Sequence, residues 1–378
     1  MLVTILLITS SLAGICLLTR TIWALGRFAY RPVKSTNVTT VPTISVCIAA
    51  RNETHALTEC LERVLKSDYP KLEILVLDDS SSDDTSLIIK SFAHAGVRFV
   101  AGSHLPDGWL GKNHAYQTLI QESSGEYILF LDVDTTIGST SITQLMEQLL
   151  VHDKAMLSVL PRRNDTQHVS ALIGTMRYYW ELLLGTSKSP PAASAIWIVR
   201  RTMLIEAGVG LNNYSMSIRP ERHLARQLQR KKLYYYLIGT QQLEIGFEKR
   251  LSSQYETALR LYYPMSGRTS IRWFVSSLFL LILLTPLLVG FIMWQNLILS
   301  SWSWLVTLIV ATAFGLFTAR TYGGTLRIVR ILLGPFLVLQ ELALLFISHL
   351  TYRRGKVTWK GRSVHAQPNN HDAIQLSE

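Results

Sequence analysis

The stretch Glu126-Tyr-Ile-Leu-Phe-Leu-Asp-Val-Asp-Thr-Thr-Ile137 decides how the rest of the chain is read. Tyr127 to Leu131 is an unbroken run of strand-forming apolar residues, the pattern of a strand covered on both faces. It ends in two carboxylates one residue apart, Asp132 and Asp134. With a side-chain period of two, both fall on one face at the strand's carboxyl end. A Mg²⁺ ion is commonly held by one or two carboxylates together with substrate phosphates, so this Asp-x-Asp is a candidate metal site; taken alone, it also reads as the acidic end of an ordinary strand.

The preceding segments set that strand in a repeating pattern. Thr43 to Ala49 reads as a buried strand followed by the polar loop Arg51-Asn-Glu53, and Ala56 to Lys66 carries Leu57, Cys60, Leu61, Val64 and Leu65 at helical spacing. Tyr69-Pro70 ends that helix. Leu72 to Leu77 is a second strand running into Asp78-Asp-Ser-Ser-Ser-Asp-Asp-Thr85, and a further helix and strand follow at Thr85 to Ala95 and Val97 to Val100. This β-α-β-α-β order predicts an α/β domain with a mostly parallel sheet, whose ligands bind beyond the strands' carboxyl ends. Three clusters fall at such ends: Arg51-Asn52-Glu53, Asp78-Asp79 and Asp132 with Asp134.

Composition says what accompanies that domain. The 378 residues are 48% hydrophobic and only 17% charged, mean hydropathy is +0.23, and the apolar excess gathers at the two ends. Leu2 to Leu18 is an uncharged run followed by Arg20, Arg27, Arg31 and Lys34, which predicts an uncleaved membrane anchor with the next domain cytosolic; a cleavable signal peptide is the rival reading. The net charge of +11 does not point to nucleic acid, because the basic residues border apolar segments and suit an anionic membrane surface. Cys16, Cys47 and Cys60 have no metal-ligand spacing and read as packing residues in a reducing compartment.

The order Ser45-Val-Cys-Ile-Ala-Ala-Arg-Asn-Glu53, Val76-Leu-Asp-Asp-Ser-Ser-Ser-Asp-Asp-Thr85 and Gly125-Glu-Tyr-Ile-Leu-Phe-Leu-Asp-Val-Asp134 resembles a family 2 glycosyltransferase with its GT-A nucleotide-diphospho-sugar domain. Leu105-Pro-Asp-Gly-Trp-Leu-Gly-Lys-Asn-His-Ala115 and Gly355-Lys-Val-Thr-Trp-Lys-Gly-Arg362 resemble membrane-bound bacterial carotenoid glycosyltransferases of the type that glucosylates diaponeurosporenoate. The resemblance implies that Asp79 accepts a hydrogen bond from the base of a UDP-sugar, with Arg51 and Glu53 lining the same pocket. It implies that Asp132 and Asp134 hold Mg²⁺ or Mn²⁺ on the diphosphate, which would neutralise the departing UDP.

Lys112 would add a second positive charge against the phosphates, or is a solvated lysine at a helix start. Trp109 stacks on sugar or acceptor, or anchors its loop. Many family members carry a Glu-Asp pair whose aspartate is the base; here the place reads Arg219-Pro-Glu-Arg-His-Leu-Ala-Arg226, so Arg222 replaces it, flanked by Glu221 and His223. A carboxylic acid acceptor is already ionised at pH 7, and Arg222 or His223 would then pair with it; alternatively Glu221 caps the helix and His223 is structural. The processive signature Gln-x-x-Arg-Trp is unmet, since Thr269 precedes Arg272-Trp273, so one sugar transfer is expected.

Ala192 to Val199 reads as a sheet-edge strand, Thr186 to Pro191 as a loop near the acceptor, and Glu244 to Tyr263 as an interfacial helix. Phe274 to Trp294 and Leu297 to Phe317 form a membrane hairpin with basic residues, among them Arg268, Arg272, Arg320 and Arg327, at its outer ends. Ile331 to Leu350, which contains Gln340, Glu341 and His349, either spans or returns; the expectation is that it re-enters or lies in the interface and leaves the tail cytosolic. The expected organisation is an anchor over 1–20, a linker over 21–42, the GT-A domain over 43–240, interfacial helices over 241–272, membrane helices over 273–350 and a tail over 351–378. The expected partners are a UDP-sugar donor, a lipophilic acceptor in the bilayer and membrane lipids. Competing acceptors are a sphingolipid-like lipid, diacylglycerol or a polyprenyl phosphate, and the competing class is a scaffold whose GT-A domain is inactive.

Overall fold

The computed structural model describes every residue except 34–40, 165–171, 206–210, 268, 324–326, 360, 361 and 364–378. Lys34, Arg268, the side chain of Arg327 and most of the tail therefore lie outside the described residues. The chain forms two units: residues 30–161, 185–246 and 359 onward make one, and residues 1–29, 162–184 and 247–358 make the other. Along the chain the principal helices are α1 (Leu2–Arg27), α2 (Leu57–Leu65), α3 (Thr85–Ser91), α4 (Gly111–Glu122), α5 (Ser141–Val151), α6 (Arg177–Leu183), α7 (Pro220–Arg230), α8 (Leu251–Met265), α9 (Ser270–Ile292), α10 (Leu297–Thr321), α11 (Arg327–Leu332) and α12 (Gly334–Arg353).

The first unit is built on a seven-stranded sheet of β1 (Ile44–Ala50), β2 (Leu72–Asp78), β3 (Val97–Ala101), β4 (Tyr127–Leu131), β5 (Met156–Leu160), β6 (Ile196–Arg200) and β7 (Tyr234–Ile238), in the order β3-β2-β1-β4-β6-β5-β7. β1 pairs in parallel with β2, Ala50 opposite Asp78, and with β4, Ile44 opposite Tyr127. The polar clusters after β1, β2 and β4 thus emerge side by side, as the βα alternation requires. One face of the sheet is covered by the apolar residues of α2 and α5, with Leu57, Leu61, Val64, Ile142 and Leu145 in one core with Val46, Ile48, Leu129 and Leu131. The sheet is mostly parallel; only β6 runs against its neighbours, β4 and β5.

The edge strand expected over Ala192 to Val199 is instead an interior strand, Ile196–Arg200. Its side chains explain the placement: Ile196, Trp197, Ile198 and Val199 are all fully buried, and Trp197 stacks on Phe130 of β4 at 4.1 Å. Two layers of neighbours are needed to hide such a run. β5 and β7 were not foreseen; they are five-residue runs, each followed by one breaker residue, Pro161 and Gly239.

In the second unit α1, α9, α10 and α12 are long and apolar enough to cross a membrane. Polar contacts as well as packing join them, since apolar burial drives no association between helices in lipid. Ser10 Oγ donates to the Ile282 carbonyl at 2.8 Å, and the Trp302 indole donates to Ser11 Oγ at 3.0 Å. The expected interfacial helix forms over Leu251–Met265 and runs alongside α12 in the same direction. Tyr255 OH donates to Gln340 Oε1 at 3.0 Å, the Tyr263 amide to Ser348 Oγ at 3.0 Å, and Tyr352 OH to the Arg260 carbonyl at 2.7 Å. Over the segment expected at Ile331 to Leu350, α11 ends at Leu332 and α12 runs from Gly334 to Arg353.

Glu341 is fully buried in α12. It accepts hydrogen bonds from the Met176 amide at 3.0 Å, the Trp180 indole at 2.8 Å and the Tyr262 hydroxyl. Three donors converging on one carboxylate bind α12 to α6 and α8, and removing the acceptor leaves all three unsatisfied. Glu341→Leu is expected to lower unfolding stability by about 2–5 kcal/mol, with Glu341→Gln costing markedly less, as read by thermal unfolding in detergent.

Candidate active site

The site is assembled from backbone positions that the sheet fixes. Asp79 follows β2 directly, its amide donating to the Ala50 carbonyl of β1 at 2.8 Å. Arg51, one residue beyond β1, reaches across with Nη1 to the Asp79 and Ser80 carbonyls and lies 4.0 Å from the Asp79 carboxylate. Asp78 is consumed locally: it accepts from the Ser81 amide at 3.1 Å and from the Ser81 and Ser86 hydroxyls. The two adjacent acids therefore divide their work, Asp78 shaping the loop while Asp79 stays with Arg51. Gly102 is required here, because a Cβ would collide with the Asp78 carbonyl that its amide bonds at 2.9 Å.

Glu53 is tied to the start of α3 by its amide, which donates to Thr85 Oγ1 at 2.9 Å. Its carboxylate lies 3.9 Å from His55 Nε2. Asp132 and Asp134 lie in the turn after β4, both half-buried and alternating with buried Val133 and Thr135. The expectation places both on one face of a strand, whereas the strand ends at Leu131 and these residues form a turn. The Asp132 amide donates to the Ala195 carbonyl at 2.8 Å, and the Asp132 carbonyl accepts from the Thr135 amide at 3.0 Å. Burial first, then the charges of Asp134, Glu53, Asp132 and Glu59, push the Cys60 thiol up to about 12.

Lys112, in the first turn of α4, donates from Nζ to Asp132 Oδ1 at 2.6 Å. Tyr116, one turn on, reaches the same oxygen at 3.3 Å. Desolvation would lower the Lys112 ammonium, but the Asp132 charge, followed by Tyr116 and Glu221, overrides it and holds the group above the ordinary lysine value. That Glu221 acts on Lys112 brings the start of α7 into the same field. Among the described residues no three His, Cys, Asp or Glu side chains gather as a protein-only metal site. Two half-buried carboxylates are nevertheless the donor set that suits a hard cation whose remaining ligands are phosphate oxygens.

The other expected residues are placed less centrally. Glu221 is buried and meets Arg219 Nε at 3.3 Å, and Arg219 also donates to the Ala192 carbonyl. Arg222 reaches Ser189 Oγ at 3.5 Å. His223 stacks on Tyr214 at 4.5 Å, nearly parallel, and Trp109 meets His114 edge-on at 5.7 Å. The structure thus joins Arg51 with Asp79 and Lys112 with Asp132, while Trp109 and His223 have aromatic partners of their own.

One residue that sequence reasoning missed holds the two halves together. Asn113 is buried, and its Nδ2 donates to the carbonyls of Tyr214, Ser215 and Ser217 at 2.9, 2.8 and 2.7 Å. Its neighbour Lys112 faces Asp132, so one turn of α4 positions both the acidic turn and the segment that leads into α7. The only signal was its place inside Gly111-Lys-Asn-His114.

A mostly parallel sheet with these clusters at its carboxyl ends is a fold of the GT-A, nucleotide-diphospho-sugar transferase type. Residues 45–206 match the family described as glycosyl transferase family 2. Among curated relatives, the chain is 30% identical over 137 residues to a poly-β-1,6-N-acetyl-D-glucosamine synthase of Staphylococcus epidermidis, covering 36% of this chain and 32% of that protein. It is 29% identical over 121 residues to a 4,4'-diaponeurosporenoate glycosyltransferase of Staphylococcus aureus, covering 31% of each. The chain therefore spans about a third of the length of these relatives. A mannosyltransferase of Pyrobaculum calidifontis, solved in complex with GDP-mannose and Mn²⁺, shares the fold with a TM-score of 0.56 and 15% identity over 93% of this chain and 98% of that one.

Replacing Asn113 by Leu removes the donor from three carbonyls. The variant is expected to lose about 2–4 kcal/mol of stability, with hydrogen exchange accelerating first at Leu211 to Ser217 in a peptide-resolved measurement.

Proposed function

We propose that the protein is a membrane-bound inverting glycosyltransferase that moves one hexose, glucose by preference, from a UDP-sugar to a lipophilic acceptor such as an apocarotenoid acid. The observation that carries the reading is the Lys112–Asp132 ion pair, at 2.6 Å, beside Asp134 and beyond the same sheet end as the Arg51–Asp79 pair. A nucleotide diphosphate needs such a combination: a base pocket, carboxylates for a cation and a mobile positive charge for the phosphates.

In this reading Asp79 accepts from the uracil N3–H, and Arg51 and Glu53 border the base and ribose. Asp132 and Asp134 would hold Mg²⁺ or Mn²⁺, which supplies neutralisation of the charge on the departing diphosphate. Lys112 exchanges the Asp132 carboxylate for a phosphate oxygen when donor arrives, so its charge is never left unpaired. Trp109 borders the acceptor. Arg222 stands where the family base is expected, and an acceptor carboxylate, ionised at pH 7, has no proton to lose. The membrane helices at both ends of the chain tether the domain to the bilayer in which a lipophilic acceptor dissolves.

A second reading, an inactive GT-A scaffold, is favoured by one observation: Glu221, the remaining carboxylate at that place, is buried against Arg219. Membranes incubated with labelled UDP-glucose and Mn²⁺, then extracted for lipid, decide between them. The expected outcome is a labelled lipid product, lost on addition of EDTA and reduced about 100-fold or more by Asp132→Asn or Asp134→Asn. Bound UDP-glucose with no turnover and no UDP release would instead establish the scaffold.

The same proposal places the transferase domain and the tail in the cytosol. It is supported by the parallel alignment of α12 with α8, whose exposed Glu256 and half-buried Arg260 suit a membrane interface. A cysteine introduced at Ser377 is expected to react with an impermeant maleimide only after the cells are opened; labelling of intact cells would make α12 a fourth span.

A further inference from the structure

We infer that Arg222, Arg226 and Ser189 form a subsite for an oxyanion, the carboxylate or phosphate head of the acceptor. The inference rests on the transferase reading above and specifies the chemistry of its acceptor. Arg222 and Arg226 are four residues apart on α7 and so share a face. Both aim Nη2 at one hydroxyl, Ser189 Oγ, at 3.5 and 3.2 Å. Like charges at this spacing repel, and Ser189 Oγ accepts from Arg226 without neutralising its charge.

Arg226 pairs with no carboxylate among the described residues, and its Nε is buried without a partner. Glu221, the one acid on α7, is held by Arg219. Lys188, exposed beside Ser189, adds a third positive charge. A fork of guanidinium donors facing a hydroxyl is the arrangement that a planar or tetrahedral oxyanion completes, with the serine turning its proton to the anion.

The loop that presents Ser189 is fixed rather than draped. The Ser189 amide donates to Thr186 Oγ1 at 3.0 Å, the Thr186 amide returns to the Ser189 carbonyl at 2.8 Å, and Tyr234 OH clamps the Pro191 carbonyl at 2.7 Å. Six residues beyond Ser189, Ala195 receives the Asp132 amide. The subsite and the acidic turn are therefore two stations on one short segment, and an anion held at the first lies on the acceptor side of the second.

The test uses the full-length protein in nanodiscs and four probes: dodecanoate, dodecyl phosphate, methyl dodecanoate and inorganic phosphate. At least one amphiphilic anion is expected to bind about 10- to 100-fold more tightly than the ester and more tightly than inorganic phosphate; which of the two it is separates a carboxylate from a phosphate acceptor. Arg226→Met should erase most of that preference while leaving ester binding and UDP binding unchanged, and Arg222→Met should erase it as well. Ser189→Asp, on an exposed loop, should erase it too by supplying an internal carboxylate, with thermal stability equal or higher. Equal binding of acid and ester by the wild type, unchanged anion binding in these variants, or inorganic phosphate binding as tightly as the amphiphiles would overturn the inference. Failure of the wild type to bind UDP would overturn the donor reading instead, while the acid and ester comparison would still judge the subsite.

Discussion

A strand whose five side chains are all buried has no freedom of register. Tyr127 to Leu131 is such a strand, clamped in parallel by β1 and in antiparallel by β6. A slip of one residue would exchange its two faces, each packed on different neighbours. The position of Asp132 follows from that constraint alone, and its amide then donates to the carbonyl of Ala195, the residue before β6. The neighbouring ends of β1 and β2 inherit their positions through the β1 register, which is why Arg51 and Asp79 meet. Chemistry at this site is placed by the interior of the sheet, while the loops only carry it.

Charge explains how the site persists before any ligand enters. A half-buried Asp132 without a partner would be costly, and Lys112 supplies the compensating ammonium at contact distance. A divalent cation bound to a diphosphate brings roughly balanced charge of both signs. If the cation takes the aspartates while Lys112 moves to the phosphates, every ion exchanges one partner for another and none is stranded in a dry environment. Arg219 plays the same part for Glu221, so the acid nearest the expected base position is already engaged. Acid–base work at this place would have to break that pair, whereas electrostatic holding of an anionic acceptor would leave it intact.

Much of this was legible in the sequence because the β-α-β-α-β half is written in strong signals: long apolar runs, helical spacing, and polar clusters at each strand's end. That logic placed Asp79 and Asp132 just beyond strand ends and Lys112 in the first turn of a helix, where the structure has them. The antiparallel half was harder. Met156–Leu160 and Tyr234–Ile238 are short, and period alone does not separate a five-residue buried strand from part of a buried helix. Ala192 to Val199 was read as an edge strand, yet its four residues Ile196 to Val199 are fully buried and Trp197 needs cover on both sides. Asn113 was invisible for a different reason. Its role is to satisfy three carbonyls from a segment about a hundred residues away, and no local pattern encodes a partner at that separation.

The membrane unit follows the same rule from the opposite solvent. Apolar contact does not choose between alternative helix pairings in lipid, since lipid chains are as apolar as leucine. Specificity must come from polar groups that have only one set of partners. Glu341 meets that requirement by collecting an amide, an indole and a hydroxyl from two other helices. Ser348 and Tyr352 repeat the device further along α12. Thr269 acts within α9 alone, where its hydroxyl accepts from the Arg272 amide and caps the helix, a role glutamine does not serve as well. A segment that reads as an ambiguous membrane helix because of its polar residues is thus held in one place by those same residues, and its apolar remainder is free to face lipid.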